Sequence, residues 1–301
     1  MLVCKEQFEV IDDGLLVRAP AKINLSLLIA GKRPDGFHEI DTIMAKINFY
    51  DEILIETGKR AGIELICKGP EKAPEGHDNL IYKAAKLLFE NTGRKTDIKI
   101  TLIKSIPAGS GLGSASSDAA ATLIGLNKYL GLHLPNRRLA KLAAQLGSDV
   151  AFFLDGPLAK CSGKGEKIKK VSKKFNFLSF LVLPNVSVST EKVYANYRHD
   201  QSLYKGLKVR INSYLQKNRI DLVLTLCVNM LQNGCFNLHK ELAELKGEIE
   251  SLGFAPCCLS GSGSAMFFIM GTDSEGKAGQ NRLKIEKKTG CRTIIVRNNK
   301  W

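Results

Sequence analysis

The segment Pro107-Ala-Gly-Ser-Gly-Leu-Gly-Ser-Ala-Ser-Ser117 constrains this chain more than any other. Before it, Asp97 to Ile103 alternates apolar Ile98, Ile100 and Leu102 with polar residues, the pattern of a half-buried strand. After it, apolar residues recur at helical spacing from Ser114 to Leu130. A glycine run between strand and helix lets backbone N–H groups approach an anion closely. The free N–H groups and positive dipole end of the helix then face that anion. Ser110, Ser114, Ser116 and Ser117 add hydroxyls that can donate to phosphate or bind a metal. The segment is not a Walker loop, because GxxxxGK[ST] is absent, and Ser116 stands where GxGxxG needs its third glycine. Taken alone it is only somewhat better read as a phosphate site than as a flexible turn.

Three other segments shift that balance. In Ala19-Pro-Ala-Lys-Ile-Asn-Leu25, Lys22 and Asn24 fall on one side of a strand, since alternate residues share a face. A lysine and an amide projecting together can hold a hydroxyl and a phosphate; a lysine snorkelling from an edge strand is the plainer alternative. In Leu146-Gly-Ser-Asp-Val-Ala-Phe-Phe153, Asp149 lies past a helix end and before an apolar run, a place that also suits a helix N-cap. Leu259-Ser-Gly-Ser-Gly-Ser-Ala265 joins two strand-like segments as a glycine-rich hairpin turn whose backbone can pack near a ligand.

The rest of the chain frames these motifs. At 301 residues it is long enough for two domains, and an apolar fraction of 44% with 25% charged residues is that of a globular protein. No stretch reaches the roughly 20 apolar residues of a membrane span, and the acidic N-terminus lacks the apolar core of a targeting segment, so a cytoplasmic protein with no membrane partner is expected. Eight cysteines without a CxxC pair and five scattered histidines suggest free thiols and no zinc site. Of the net charge of +14, residues 151–301 carry most, with 24 Lys and Arg against 12 Asp and Glu. That basic half raises a rival from another class, a nucleic-acid-binding protein. No aromatic-studded RNA-binding pattern accompanies it, and a solvated basic surface is the preferred reading.

Strands are expected at Leu15 to Val17, Ile23 to Ile29, Ile43 to Phe49, Glu52 to Glu56 and Ile63 to Cys67, with two more at Phe177 to Leu183 and Ala265 to Met270. Helices are expected at Leu80 to Glu90, capped by Asp78 or Asn79, at Arg137 to Leu146 between Asn136 and Gly147, and at Leu238 to Leu252. Strands and helices mix without regular alternation, which implies an α+β protein of two domains, 1–166 and 167–301, divided in the stretch Gly163 to Lys174.

Together the four motif segments resemble the GHMP kinase superfamily over nearly the whole chain. Residues 107–117 look like its PxxxGLGSS motif and 259–265 like its third glycine-rich motif. Within it, Pro20 to Leu25, Arg33-Pro-Asp-Gly-Phe-His38, Asp78-Asn-Leu80, Gly147 to Phe153 and Pro184-Asn-Val-Ser-Val-Ser-Thr190 are most like the kinases of a cytidine-diphosphate-linked polyol in non-mevalonate isoprenoid synthesis. The resemblance implies an N-terminal ribosomal-S5-domain-2-like domain and a C-terminal ferredoxin-like domain. It implies ATP and Mg²⁺ as cofactors, a small-molecule alcohol as acceptor and no nucleic-acid partner. A mevalonate or homoserine kinase is the alternative within the superfamily.

By position, the resemblance makes Lys22 and Asp149 the catalytic pair, with Asn24 and Thr190 near the acceptor hydroxyl. It makes Phe37 and Tyr194 the two rings about a cytosine, and His38 the reader of its edge. Lys104 with Pro107, Ala108, Gly109, Ser110, Gly111, Leu112, Gly113, Ser114, Ala115, Ser116 and Ser117 forms the ATP site, beside the third motif at Gly261, Ser262 and Gly263. The chain departs from the pattern at Ala151, where proline is usual, and at Met230, where aspartate is usual; Phe37 replaces the more frequent tyrosine.

Overall fold

A computed structural model describes residues 4–94, 96–171, 175–270 and 276–301. The N-terminal half runs β1 (Phe8–Ile11), β2 (Gly14–Lys32), β3 (His38–Thr57), β4 (Ile63–Lys68), α1 (Leu80–Thr92) and β5 (Ile98–Ile103). It continues through α2 (Ser114–Tyr129), α3 (Asn136–Leu146), α4 (Val150–Phe153), β6 (Leu158–Gly163) and β7 (Lys167–Lys170). The C-terminal half runs β8 (Leu178–Leu183), α5 (Thr190–Ala195), α6 (Gln201–Gln216), α7 (Ile220–Leu226), β9 (Val228–Asn229), α8 (Gln232–Leu238) and α9 (Lys240–Ser251). It ends with β10 (Cys258–Leu259), β11 (Met266–Met270), α10 (Ala278–Thr289) and β12 (Arg292–Arg297).

Among the described residues the strands form two sheets, one of eight strands built on β1-β2-β3-β5-β4 and one of four in the order β10-β11-β8-β12. The α+β reading stands. The expected pieces at 15–17 and 23–29 are one strand, because the register shifts at Pro20/Ala21 and Asn24/Ser26. A bulge admits a proline that could not donate to a regular ladder. Likewise 43–49 and 52–56 belong to the single strand β3. The helix expected from Leu238 is interrupted: His239 adopts φ −131° and ψ 82°, so Leu238 ends α8 and α9 begins at Lys240. Asn79 caps α1 by accepting from the Ile81 N–H at 2.9 Å, whereas Asn136 is the first residue of α3 and Pro135 precedes it as the cap.

One apolar cluster joins Val17, Met44 and Ile55 of the large sheet to α1–α4. A second joins Ile23, Leu25 and Ile43 to β8, β11 and the C-terminal helices. The middle of β2 therefore lies between both cores, and that is where Lys22 and Asn24 sit. The expected division at 166/167 falls in the turn of the β6–β7 hairpin, whose strands pair with each other beside β3. Hence β7 stays with the first sheet, and β9 returns to it by pairing with β2. Residues 172–174 of the expected boundary stretch lie outside the described residues.

Candidate active site

A cleft of about 1160 Å³ is lined by residues of both halves. The glycine loop between β5 and α2 forms its floor. Gly111 has φ +75°, and a Cβ there would lie 2.0 Å from the Ser260 carbonyl oxygen. No side chain fits that approach. The two glycine-rich loops consequently interlock: Ala265 N–H donates to Ser110 O at 3.0 Å and Ser260 Oγ to Gly111 O at 3.0 Å. The backbone N–H of Lys22 donates to Leu112 O at 2.9 Å, which ties β2 to the same loop.

Beneath the loop lies a buried ionic cluster. Lys104 Nζ contacts Asp51, Ser114 Oγ and, at 2.8 Å, Asp118 Oδ2. Asp51 also accepts the backbone N–H groups of Ser105 at 2.6 Å and Ile106 at 2.9 Å, which fixes the start of the loop. Burial opposes the charge on Lys104, but Asp118 and Asp51 outweigh it and hold the pKa above the ordinary lysine value. Burial pushes Asp118 up to about 8 against the pull of Lys104. Lys104 lines the cleft yet is saturated by these partners. These contacts help to fix the start of the glycine loop.

The Lys22 centre is different. Lys22 Nζ donates to Asn24 Oδ1 at 2.6 Å, Asn24 Nδ2 to Thr42 Oγ1 at 2.8 Å, and Thr42 Oγ1 to Ser26 O at 2.7 Å. Burial lowers the Lys22 pKa, and the charge of Asp149 opposes that shift. A Cβ at Gly261 would lie 3.2 Å from Lys22 Nζ, so the third motif brings backbone against this ammonium. Asp149 sits at the N-cap position of α4, but its side chain makes no capping bond. It lines the cleft instead. Thr190 Oγ1 lies 2.8 Å from Ser262 Oγ, joining α5 to the third motif.

At the other end, His38 packs on Tyr194 with ring centroids 5.0 Å apart and meets Tyr197 edge-on at 5.9 Å. Tyr194 is pushed to a high pKa by burial and by the charge of Asp149. Phe37 is 57% exposed, with Lys164 Nζ 4.5 Å from its ring centroid.

Of the expected residues, Lys22, Asn24, Phe37, His38, Lys104, 107–116, Asp149, Thr190, Tyr194, Gly261 and Ser262 all line the cleft. Ser117 and Gly263 are not among its lining residues. Ser117 Oγ is buried without a partner, and Gly263 backs onto Leu259 and Cys235. Sequence reasoning missed Thr42, Asp51, Asp118, Lys164 and Tyr197. Asp118 carried a signal, standing one helical turn after Ser114; the others gave none.

A glycine-rich loop leading into a helix, a buried lysine and a carboxylate that makes no capping bond share one cleft, an arrangement suited to phosphoryl transfer. The family model for the GHMP kinases N terminal domain matches residues 79–157, and the model for GHMP kinases C terminal matches residues 211–288. The chain belongs to the GHMP kinases, and so transfers phosphate from ATP to an alcohol on a small molecule. Curated relatives are more particular. The 4-diphosphocytidyl-2-C-methyl-D-erythritol kinases of Bacillus cereus (strain B4264) and Bacillus anthracis (strain CDC 684 / NRRL 3495) are 38% identical over 273 residues, 90% of this chain and 93% of theirs. A crystal structure of 4-(cytidine 5'-diphospho)-2C-methyl-D-erythritol kinase has a TM-score of 0.75 at 29% identity, covering 95% of this chain and 100% of that one. Homoserine kinase from Cytophaga hutchinsonii ATCC 33406 shares the fold at a TM-score of 0.76 and 19% identity, with 98% of each chain covered.

Proposed function

We propose that this chain, as a cytoplasmic enzyme, phosphorylates a hydroxyl of 4-diphosphocytidyl-2-C-methyl-D-erythritol with ATP, giving the 2-phosphate, in the non-mevalonate isoprenoid pathway. The observation that carries the reading is that Lys22, Asn24 and Asp149 line one cleft together with the glycine loop and the rings of His38, Tyr194 and Tyr197. Its two chemistries suit a phosphate donor at one end and a flat heterocycle at the other.

Phosphoryl transfer through a loose transition state asks mainly for positioning and charge neutralisation. The loop amides hold the β- and γ-phosphates at the start of α2. Asp149 accepts the proton of the acceptor hydroxyl as its oxygen bonds to the γ-phosphorus and the bond to ADP breaks. Lys22 neutralises charge near the transferred group. Asn24 and Thr190 orient the hydroxyl. Tyr194 and Phe37 take the two faces of the cytosine, and His38 its edge.

Mg²⁺ is implied by the family chemistry. Among the described residues no group of three or more His, Cys, Asp or Glu could hold a metal. Asp118 Oδ1 is a buried carboxylate oxygen without a partner, in a side chain that lines the cleft beside Ser114. Hard oxygen donors of this kind fit a magnesium ion that keeps most of its waters and is otherwise bound by phosphate. Ser114 and Asp118 would hold it, and bound there it would supply positive charge to the phosphate oxygens.

ATP consumption against a panel of acceptors tests the reading. The cytidyl compound should be phosphorylated well, and the same polyol without its cytidyl group poorly. Mevalonate or homoserine turned over as efficiently as the cytidyl compound would leave the superfamily and remove the substrate.

A further inference from the structure

Lys22 and Lys46 face each other directly across β2 and β3. Directly opposed residues of an antiparallel pair project from the same face, where like charges destabilise. Both are deeply buried, at 4% and 1% exposure. Lys22 has Asn24 and Asp149 for neighbours. Lys46 is spent otherwise: its Nζ donates to the carbonyls of Phe153 at 3.1 Å and Asp155 at 2.5 Å. Those carbonyls lie at the C-terminal end of α4, whose N-cap residue is Asp149.

A helix of four residues cannot fix itself in place, since the carbonyls of its last turn have no partners within it. Val150, Ala151, Phe152 and Phe153 are buried in the first core, and two further contacts hold α4. At one side the Phe153 ring packs against Gly113, where a Cβ would lie 2.9 Å from the ring. At its end Lys46 takes up the free carbonyls. Lys46 is itself held: its N–H donates to Pro157 O at 2.9 Å and its carbonyl accepts from Asn299 at 2.8 Å. Trp301 closes the pocket, with the ring centroid 5.8 Å from Nζ.

We infer that Lys46 is a positioning residue for Asp149: by anchoring the far end of α4 it sets where the carboxylate at the near end stands relative to Lys22 and the acceptor hydroxyl. The inference rests on the reading of Asp149 as proton acceptor. Burial pulls the Lys46 pKa down to about 7, against the charge of Asp155 and with help from Lys170. The two lysines thus divide the labour, one facing the reaction and the other holding the helix.

The test is a double-mutant cycle of Lys46→Met and Asp149→Asn, with kcat and both KM values measured at pH 8. Small displacements of a reacting group are costly, so Lys46→Met should lower kcat about 10-fold or more and leave KM for ATP and acceptor within about twofold. If Lys46 acts through Asp149, the double variant should be no slower than Asp149→Asn alone, whereas independent defects would multiply. Lys46→Gln, which keeps a shorter NH₂ donor group, should recover part of the loss. Near-normal turnover in Lys46→Met, multiplicative losses, or failure of both Lys46 variants to bind ATP would each overturn the inference, the last in favour of a merely structural lysine. Near-normal turnover in Asp149→Asn would instead bring down the underlying reading of the base.

Discussion

The two ends of the cleft are built by opposite means. Under the glycine loop, Asp51 is completely buried and Lys104 nearly so, and they are held by ion pairs, by the Ser114 hydroxyl and by backbone N–H groups. At the acceptor end, Phe37 stands on the exposed tip between β2 and β3, and Tyr197 is half-buried. The ion pair nearby, Lys208 with Asp41 at 3.0 Å, has its lysine 42% exposed. The phosphate end is thus fixed by folding, whereas the acceptor end consists of side chains on a stable frame that can change without unfolding it. A superfamily sharing one phosphoryl donor and varying its acceptor suits that division.

The comparison is broken most directly by removing one aspartate from behind each region, Asp51 beneath the glycine loop and Asp41 between the cleft-lining Ile40 and Thr42. Asp51→Ala leaves Lys104 partly uncompensated and frees two buried N–H groups, and should cost about 3–5 kcal/mol, the range for breaking a buried pair. Asp41→Ala removes the partner of a half-exposed lysine and the acceptor of the Tyr204 hydroxyl at 2.7 Å, which keeps Lys208 as a neighbour, and should cost about 1–2 kcal/mol. Calorimetric unfolding of the two variants measures both, and equal losses would show that the ends are not built differently.

A smaller effect separates the rings of the acceptor end. Tyr194→Ala removes a half-buried ring that also packs on His38, and base–aromatic stacking of about 1–3 kcal/mol predicts a rise in KM for the cytidyl substrate of about 5- to 150-fold. Phe37→Ala removes an exposed ring and should stay at the low end, about fivefold. KM for ATP should be unchanged in both. An equal or greater effect at Phe37 would mean that the tip closes over the substrate and is as much a part of the site as Tyr194.

What the sequence disclosed follows the same physical line. The phosphate end was legible where the chemistry is local. The glycine run marks a turn between strand and helix, Lys22 and Asn24 share a face by the period of a strand, and Asn79 stands in place to cap α1. Illegible were partnerships closed by the tertiary fold. Asp51 meets Lys104 across 53 positions, and Lys46 meets the end of α4 across 107 and 109. Neither pairing has a periodicity to betray it. Lys104 reads in the sequence as a cation for ATP, and only its neighbours show how much of its charge is already balanced. The short C-terminal elements α5, α7, α8 and β9 also escaped, since each is fixed by packing on β2 or on the third motif rather than by its own pattern.

The smallest predicted effect is a pH dependence at the acceptor end. Burial lowers the pKa of His38, and the charges of Lys32 and His199 lower it further. The sign follows: the unfolded histidine gains its proton near 6.5, the folded one only at a lower pH, so the imidazole stays neutral through the physiological range. As pH falls through 6.5 and then through the lowered value, the folded state loses stability relative to the unfolded chain. A neutral imidazole can both donate to and accept from a cytosine edge, whereas the protonated ring only donates. KM for the cytidyl substrate should therefore stay flat from pH 8 to about 6.5 and rise below it; Asp118 under the glycine loop is pushed up to about 8, so any pH effect on KM for ATP should fall at higher pH than this step. His38→Asn should raise KM at every pH and abolish the step. A rise that began above pH 7, or that appeared equally in KM for ATP, would assign the titration to another group and remove His38 from the reading of the base.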